Sequence, residues 1–153
     1  MNIFIDTEFT NFIDTDLISI ALVAEDGREF YCERNDFDSA TISDFVRAAV
    51  LPQLRASGAL VLSKSDLLTA VTDWLAPYEF CDATVCFDYS VDRTLLYDLF
   101  DNAPPPWLKT RNINGFVDLE AYERFFVVEA LSHHHALHDA RANRFAMQPN
   151  QET

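Results

Sequence analysis

The chain is short of positive charge: Lys and Arg number 11 against 25 Asp and Glu, a formal net charge of −14 at pH 7. That shortage excludes a protein that grips duplex DNA through a broad basic face, because such binding rests on lysine and arginine at the phosphates. It does not exclude a nucleic-acid enzyme whose acidic side chains hold metal ions. Cysteine is also scarce. Cys32, Cys81 and Cys86 are an odd number with no Cys-x-x-Cys pair, so neither a disulfide frame nor a zinc knuckle is expected, and the thiols read as those of a reducing compartment. No apolar run approaches the roughly 18 residues that span a membrane, and Asp6 and Glu8 interrupt the start, so no signal peptide is expected. The expectation is a cytoplasmic protein without a membrane partner.

A hydrophobic fraction of 49% over 153 residues supports a packed core rather than disorder. The length suits one domain, taken as residues 1–148, followed by a flexible tail at 149–153. Residues 2–9 are mostly apolar and predict a buried first strand, 17–23 a second, and 29–32 a third after the turn-like Glu25-Asp26-Gly27-Arg28. Three antiparallel strands therefore open the chain. Thr41-Ile42-Ser43-Asp44 has the form of a capping box before a short helix that Pro52 limits. Residues 59–62 form either a short strand or a buried connection. Ser65 is placed to cap a helix to about 75, residues 83–87 predict a strand, and a helix follows Ser90 from 91 to 100. Pro104-Pro105-Pro106 imposes an extended link, 112–115 read as a polar loop, and helices are expected over 118–131 and 136–147. This order is a mixed α/β layout, a central sheet flanked by helices.

Asp6 and Glu8 stand two apart on the first strand, and a period of two turns both side chains to one face. Asp-x-Glu alone is an ordinary surface pattern. Here it interrupts a run that is otherwise almost wholly apolar, and no lysine or arginine stands nearby as a counterion. At the other end, His133, His134, His135 and His138 account for all four histidines. A zinc site from His134 and His138 would need a third ligand that the spacing does not supply. Half-exposed histidines at a helix start are the plainer reading.

Asp6-Thr7-Glu8-Phe9, an aspartate after a middle strand, and a C-terminal His-x-x-x-x-Asp together resemble the three motifs of the DEDDh 3′→5′ exonuclease family, part of the ribonuclease H-like superfamily. His134 is the one histidine followed five residues later by an aspartate, Asp139, so the third motif has a single register. In the middle motif, Thr84-Val85-Cys86-Phe87 would be the strand and Asp92 the carboxylate, with Asp88 the rival assignment. The likeness extends over most of the chain and looks closest to small stand-alone exoribonucleases of bacteria and phages. Two departures stand out: the middle motif lacks an asparagine ahead of its aspartate, and the surface is unusually acidic.

The resemblance implies a ribonuclease H-like fold and a metal-dependent exonuclease acting at the 3′ end of single-stranded RNA, releasing nucleoside 5′-monophosphates. It implies two Mg2+ ions, replaceable by Mn2+, held by Asp6, Glu8, Asp92 and Asp139, with Asp6 bridging. Two hard divalent cations suit oxygen ligands and offset the formal charge of four carboxylates. His134 would be the general base, since an imidazole of ordinary pKa is neutral at pH 7 yet accepts a proton. Phe9, Thr10, Leu17 and Tyr89 are the substrate-contact candidates. Trp107 reads as packing, and Arg111, Arg141 and Arg144 as surface charges that offer phosphate contacts. A homodimer is the expected assembly. Two alternatives remain: the same chemistry on single-stranded DNA, and an acidic nucleic-acid mimic that fills a partner's basic groove. The mimic would keep working when Asp6 or His134 is replaced.

Overall fold

The computed structural model describes residues 1–56 and 58–147, so the tail expected at 149–153 lies outside the described residues. Strands β1 (Asn2–Phe9), β2 (Leu17–Ala24) and β3 (Glu29–Arg34) form the expected antiparallel meander. The β2–β3 turn is closed by a Gly27 N–H to Ala24 C=O bond of 3.0 Å with Gly27 at φ 92, a left-handed conformation that glycine adopts without steric cost. Residues 60–62 are a strand, β4 (Leu60–Leu62), parallel to β3. Strand β5 (Thr84–Phe87) runs parallel to β1, and β6 (Lys109–Asn112) parallel to β5. The sheet order is β4-β3-β2-β1-β5-β6. This mixed sheet, with helices on it, matches an α/β architecture of the ribonuclease H-like type. Strand β6 was not expected from the sequence. Its Lys-Thr-Arg-Asn carries no apolar alternation because it is an edge strand, where polar residues block further pairing.

The helices are α1 (Asp44–Ala49), α2 (Lys64–Leu75), α3 (Ser90–Leu99), α4 (Leu119–Glu129) and α5 (Ala136–Ala146). None is long and apolar enough to cross a membrane. Three caps differ from expectation. Ser43, not Thr41, caps α1, because Thr41 ends a 3-10 turn of its own; Ser63, not Ser65, caps α2; Ser90 lies inside α3, and no side chain caps that helix. Asp118 caps α4 as expected, accepting from the Glu120 and Ala121 N–H groups.

One face of the sheet presents Ile3, Ile5, Ile20 and Leu22 to Leu67, Val71 and Leu75 of α2 and Leu95, Leu96 and Leu99 of α3. Each such side chain contributes about 1.5–3 kcal/mol on burial. The other face presents Ala21 and Val23 to Ala136 and Ala140 of α5. These alanines let the helix lie close to the sheet. That closeness sets the site, because Asp6 and Glu8 pair with Ala21 and Ser19 of β2 and so face α5.

Candidate active site

Strand β1 turns Asp6 and Glu8 toward α5, whose first turn supplies Asp139. Carboxylate oxygens of Asp6, Glu8 and Asp139 lie within 4.8 Å of one another. A second group, Asp6, Asp88 and Asp92, converges equally closely. Asp88 follows β5 directly and Asp92 lies in the first turn of α3. The rival residues of the middle motif are therefore both present, and Asp6 belongs to both groups. Asp92 and Asp139 each sit at a helix N-terminus, where unpaired N–H groups favour negative charge.

Neutral donors fix three of the carboxylates, Asp92, Asp139 and Asp88. Thr7, between Asp6 and Glu8, points to the opposite face of the sheet and reaches α3. Its N–H and hydroxyl both donate to Asp92 Oδ1, at 3.1 and 2.6 Å. Asp92 Oδ2 is buried with no partner. The Tyr122 hydroxyl donates to Asp139 Oδ1 at 2.9 Å, and the His135 N–H to Oδ2 at 3.0 Å. Asn143 Nδ2 donates to Asp88 Oδ1 at 3.0 Å. Among the described residues, no lysine or arginine forms an ion pair with any of the five.

Burial without a cation has the expected electrical result. Desolvation, then repulsion from Asp139 and Asp92, pushes Glu8 up to about 8. Desolvation raises Asp92 to about 7 despite the Thr7 bonds, with Asp88 adding to the rise. Asp6 is driven well above the usual carboxylate range by burial and then by Asp92, Asp139, Glu8 and Asp88. Asp139 is also raised, chiefly by burial. These converging carboxylates, with an orphaned buried oxygen and no basic partner among the described residues, are compatible with a metal-binding site of hard oxygen donors.

The histidines are arranged otherwise than the spacing implied. Among the described residues, neither acidic group contains one. His134 is exposed, sits at φ 63, and meets Phe45 of α1 edge-on at 4.9 Å. Its main-chain carbonyl, with that of His133, accepts from Gln53 Nε2 at 3.0 and 2.7 Å. The His133 ring stacks on Phe126 at 3.7 Å, with Nδ1 3.9 Å from Asp139 Oδ1 and Nε2 3.4 Å from Glu123. His135 stacks between Tyr31 and His138, and burial lowers its pKa to about 4.

Of the four substrate-contact candidates, two reach the surface at least in part. Tyr89 is half exposed, and Phe9 is half buried beside the loop that follows β1. Thr10 is fully buried, with its hydroxyl donating to Asp14 C=O and accepting from the Asp16 N–H, so it shapes that loop. Leu17 belongs to the core. The sequence reading missed Phe12, 73% exposed, which meets both Phe9 and Tyr89 edge-on, and Ile13, 91% exposed. Two large apolar residues inside the polar Asn11–Asp14 stretch were the available signal. Tyr122 and Asn143 carried none. Trp107 packs against the core. Arg141 pairs with Glu29, Arg144 bonds Glu25 C=O, and Arg111 reaches Asn2 and Cys86, so each of the three has a local structural partner.

Two 3′-5′ exoribonucleases of Mycobacterium tuberculosis, from strains CDC 1551 / Oshkosh and ATCC 25618 / H37Rv, are each 49% identical to this chain over 55 residues. The match covers 35% of this chain and spans about a third, 33%, of the curated relatives. No family model matches the chain. The similarity is therefore local, a likeness to two exoribonucleases over about a third of each chain.

Proposed function

We propose that the protein is a metal-dependent 3′→5′ exonuclease that removes nucleoside 5′-monophosphates from single-stranded RNA. The observation that carries this reading is Asp6, a half-buried carboxylate shared by two acidic triads and with no basic partner among the described residues. Asp6 would touch both of two bound cations, Glu8 and Asp139 would hold one, and Asp92 with Asp88 the other. Bound there, Mg2+ or Mn2+ supplies an acidified water and a countercharge for the phosphoryl oxygens and the departing 3′ oxygen. The Asp92 oxygen left unpaired by Thr7 would be free to act as a ligand, while the bonded oxygen holds the carboxylate in place. Phe12, Phe9 and Tyr89 form an edge-to-face aromatic group beside β1, suited to stacking on the terminal base. An acidic mimic would present its carboxylates outward; these converge on one another, with Glu8, Asp92 and Asp139 buried.

His134 is the general base in this reading, taking the proton of the attacking water. Its ring makes no hydrogen bond among the described residues, and its main chain is anchored through Gln53, so the ring can turn toward the triads when substrate binds. A second reading gives the proton to His133, favoured by the 3.9 Å between its Nδ1 and Asp139. The test is digestion of 5′-labelled single-stranded RNA and DNA in magnesium, manganese or EDTA, with D6A, H133A and H134A alongside. Expected is a ladder shortening from the 3′ end, faster on RNA and abolished by EDTA and D6A. Loss of about 10²–10⁴-fold in one histidine variant identifies the base. If neither RNA nor DNA is cut with either metal, the exonuclease reading ends; DNA cut in place of RNA changes only the substrate.

A further inference from the structure

A cleft of about 490 Å³ lies on the same face of the sheet as the carboxylates, beyond β2 and under α1. Its walls include Phe37 and Leu54, its floor is Glu33 of β3, and Arg34, Arg47 and Arg55 line it. Arg34 is spent on Asp16, Asp36 and Leu17 C=O. Arg47 and Arg55 are exposed, and among the described residues neither guanidinium forms an ion pair or hydrogen bond. In a chain with 25 carboxylates and 11 basic residues, two unpaired arginines lining one cleft are a local reversal of sign. Glu33 does not cancel it. Its carboxylate accepts from the Arg55 N–H at 2.8 and 2.9 Å and from the Tyr31 hydroxyl at 2.9 Å, so it is held by neutral donors, and its single charge offsets only one of the two free guanidinium groups.

The cleft is in register with the acidic site. Glu33 pairs with Ser19, and Ser19 pairs with Glu8, a single row across three strands. Two strand spacings amount to about 10 Å, close to three stacked nucleotides at ~3.4 Å each. Helix α1 borders both regions: the Ser43 N–H bonds Thr10 C=O at the end of β1, while Arg47 faces the cleft. We propose that Arg47 and Arg55 hold phosphates of the substrate strand 5′ of the scissile bond, with a base against Phe37 and Leu54. The proposal rests on the exonuclease reading for the direction of the strand. It makes the enzyme length-sensitive, because a dinucleotide would reach the carboxylates without reaching the cleft.

The test compares wild type, R47Q/R55Q and the control R124Q, which changes a distant α4 arginine. Binding of 5′-fluorescein RNA of two and of eight nucleotides is read by anisotropy in calcium across a salt series. Hydrolysis of both lengths is read in manganese. Expected in R47Q/R55Q is octamer affinity about tenfold weaker, with a salt slope shallower by about 1.4, which is ~0.7 for each lost phosphate contact on a single strand. Dinucleotide hydrolysis should be unchanged, and R124Q should match wild type. An octamer affinity and salt slope equal to wild type would overturn the cleft proposal while leaving the exonuclease reading intact. A wild type that binds the octamer through the arginines but cuts neither length would overturn the exonuclease reading instead.

Discussion

At the residue scale, three of the five carboxylates, Asp88, Asp92 and Asp139, are each steered by a neutral donor. Tyr122 is the clearest case, since its hydroxyl meets Asp139 Oδ1 at 2.9 Å from a neighbouring helix. Removing one such bond shifts the balance by about 0.5–1.5 kcal/mol. Y122F is therefore expected to keep its fold and bind Mn2+ about threefold to tenfold more weakly by calorimetry; unchanged affinity would mean that Asp139 is aimed by the His135 N–H alone. Legibility divides along the same line. Asp6 and Glu8 could be read because a strand period places them together and because carboxylates are out of place in an apolar run. Tyr122 and Asn143 could not, since their bonds to Asp139 and Asp88 depend on how α4 and α5 dock. The histidines show the limit of spacing: His134 stands five residues before Asp139, but a left-handed backbone at φ 63 turns its ring to Phe45 and leaves His133 nearer the carboxylate.

At the scale of elements, α5 couples the packing to the chemistry. Its Ala136 and Ala140 rest on Ala21 and Val23, and the same helix carries Asp139 and Asn143 to the two carboxylate groups. A larger residue in that seam has no room: overpacking costs about 1–3 kcal/mol and moves backbone. A140L is expected to lower the melting temperature and to weaken Mn2+ binding together, whereas a large core truncation far from α5, such as V71A, should lower stability alone. If A140L lost stability with metal affinity intact, α5 would not be the element that sets the site. The meander and β5 were readable as apolar runs, whereas α5 was a weaker signal, since it buries alanines, Asp139 and Asn143 and leaves Phe145 exposed. Strand β6 stayed hidden because an edge strand with polar residues owes its existence to pairing with β5, a long-range bond pattern with no local trace.

At the scale of the whole molecule, repulsion among acids makes stability depend on pH and on cations. Glu8 rises from 4.5 to about 8 and Asp92 from 3.8 to about 7 in the folded protein. A raised folded pKa means that the native state binds the proton more tightly, so this stability is complete below the unfolded values and is lost as pH climbs through the folded ones. His135 works in the opposite sense. Its value falls from 6.5 to about 4, so stability is lost as pH drops below 6.5, and the acid end mixes the two effects. Between pH 6.5 and 8 the carboxylates act without that opposition. The unfolding free energy of the metal-free protein is expected to fall across this window, by at most about 1.4 kcal/mol per pH unit for each proton held in excess, and the melting temperature to fall with it. Manganese should restore more stability at pH 8 than at 6.5, because at the lower pH it must first displace protons. E8Q should flatten the metal-free slope, since its amide has no proton to lose. Equal metal-induced shifts at both pH values would show that the triads are not where the cation binds, and the charge of −14 would then have to be balanced elsewhere.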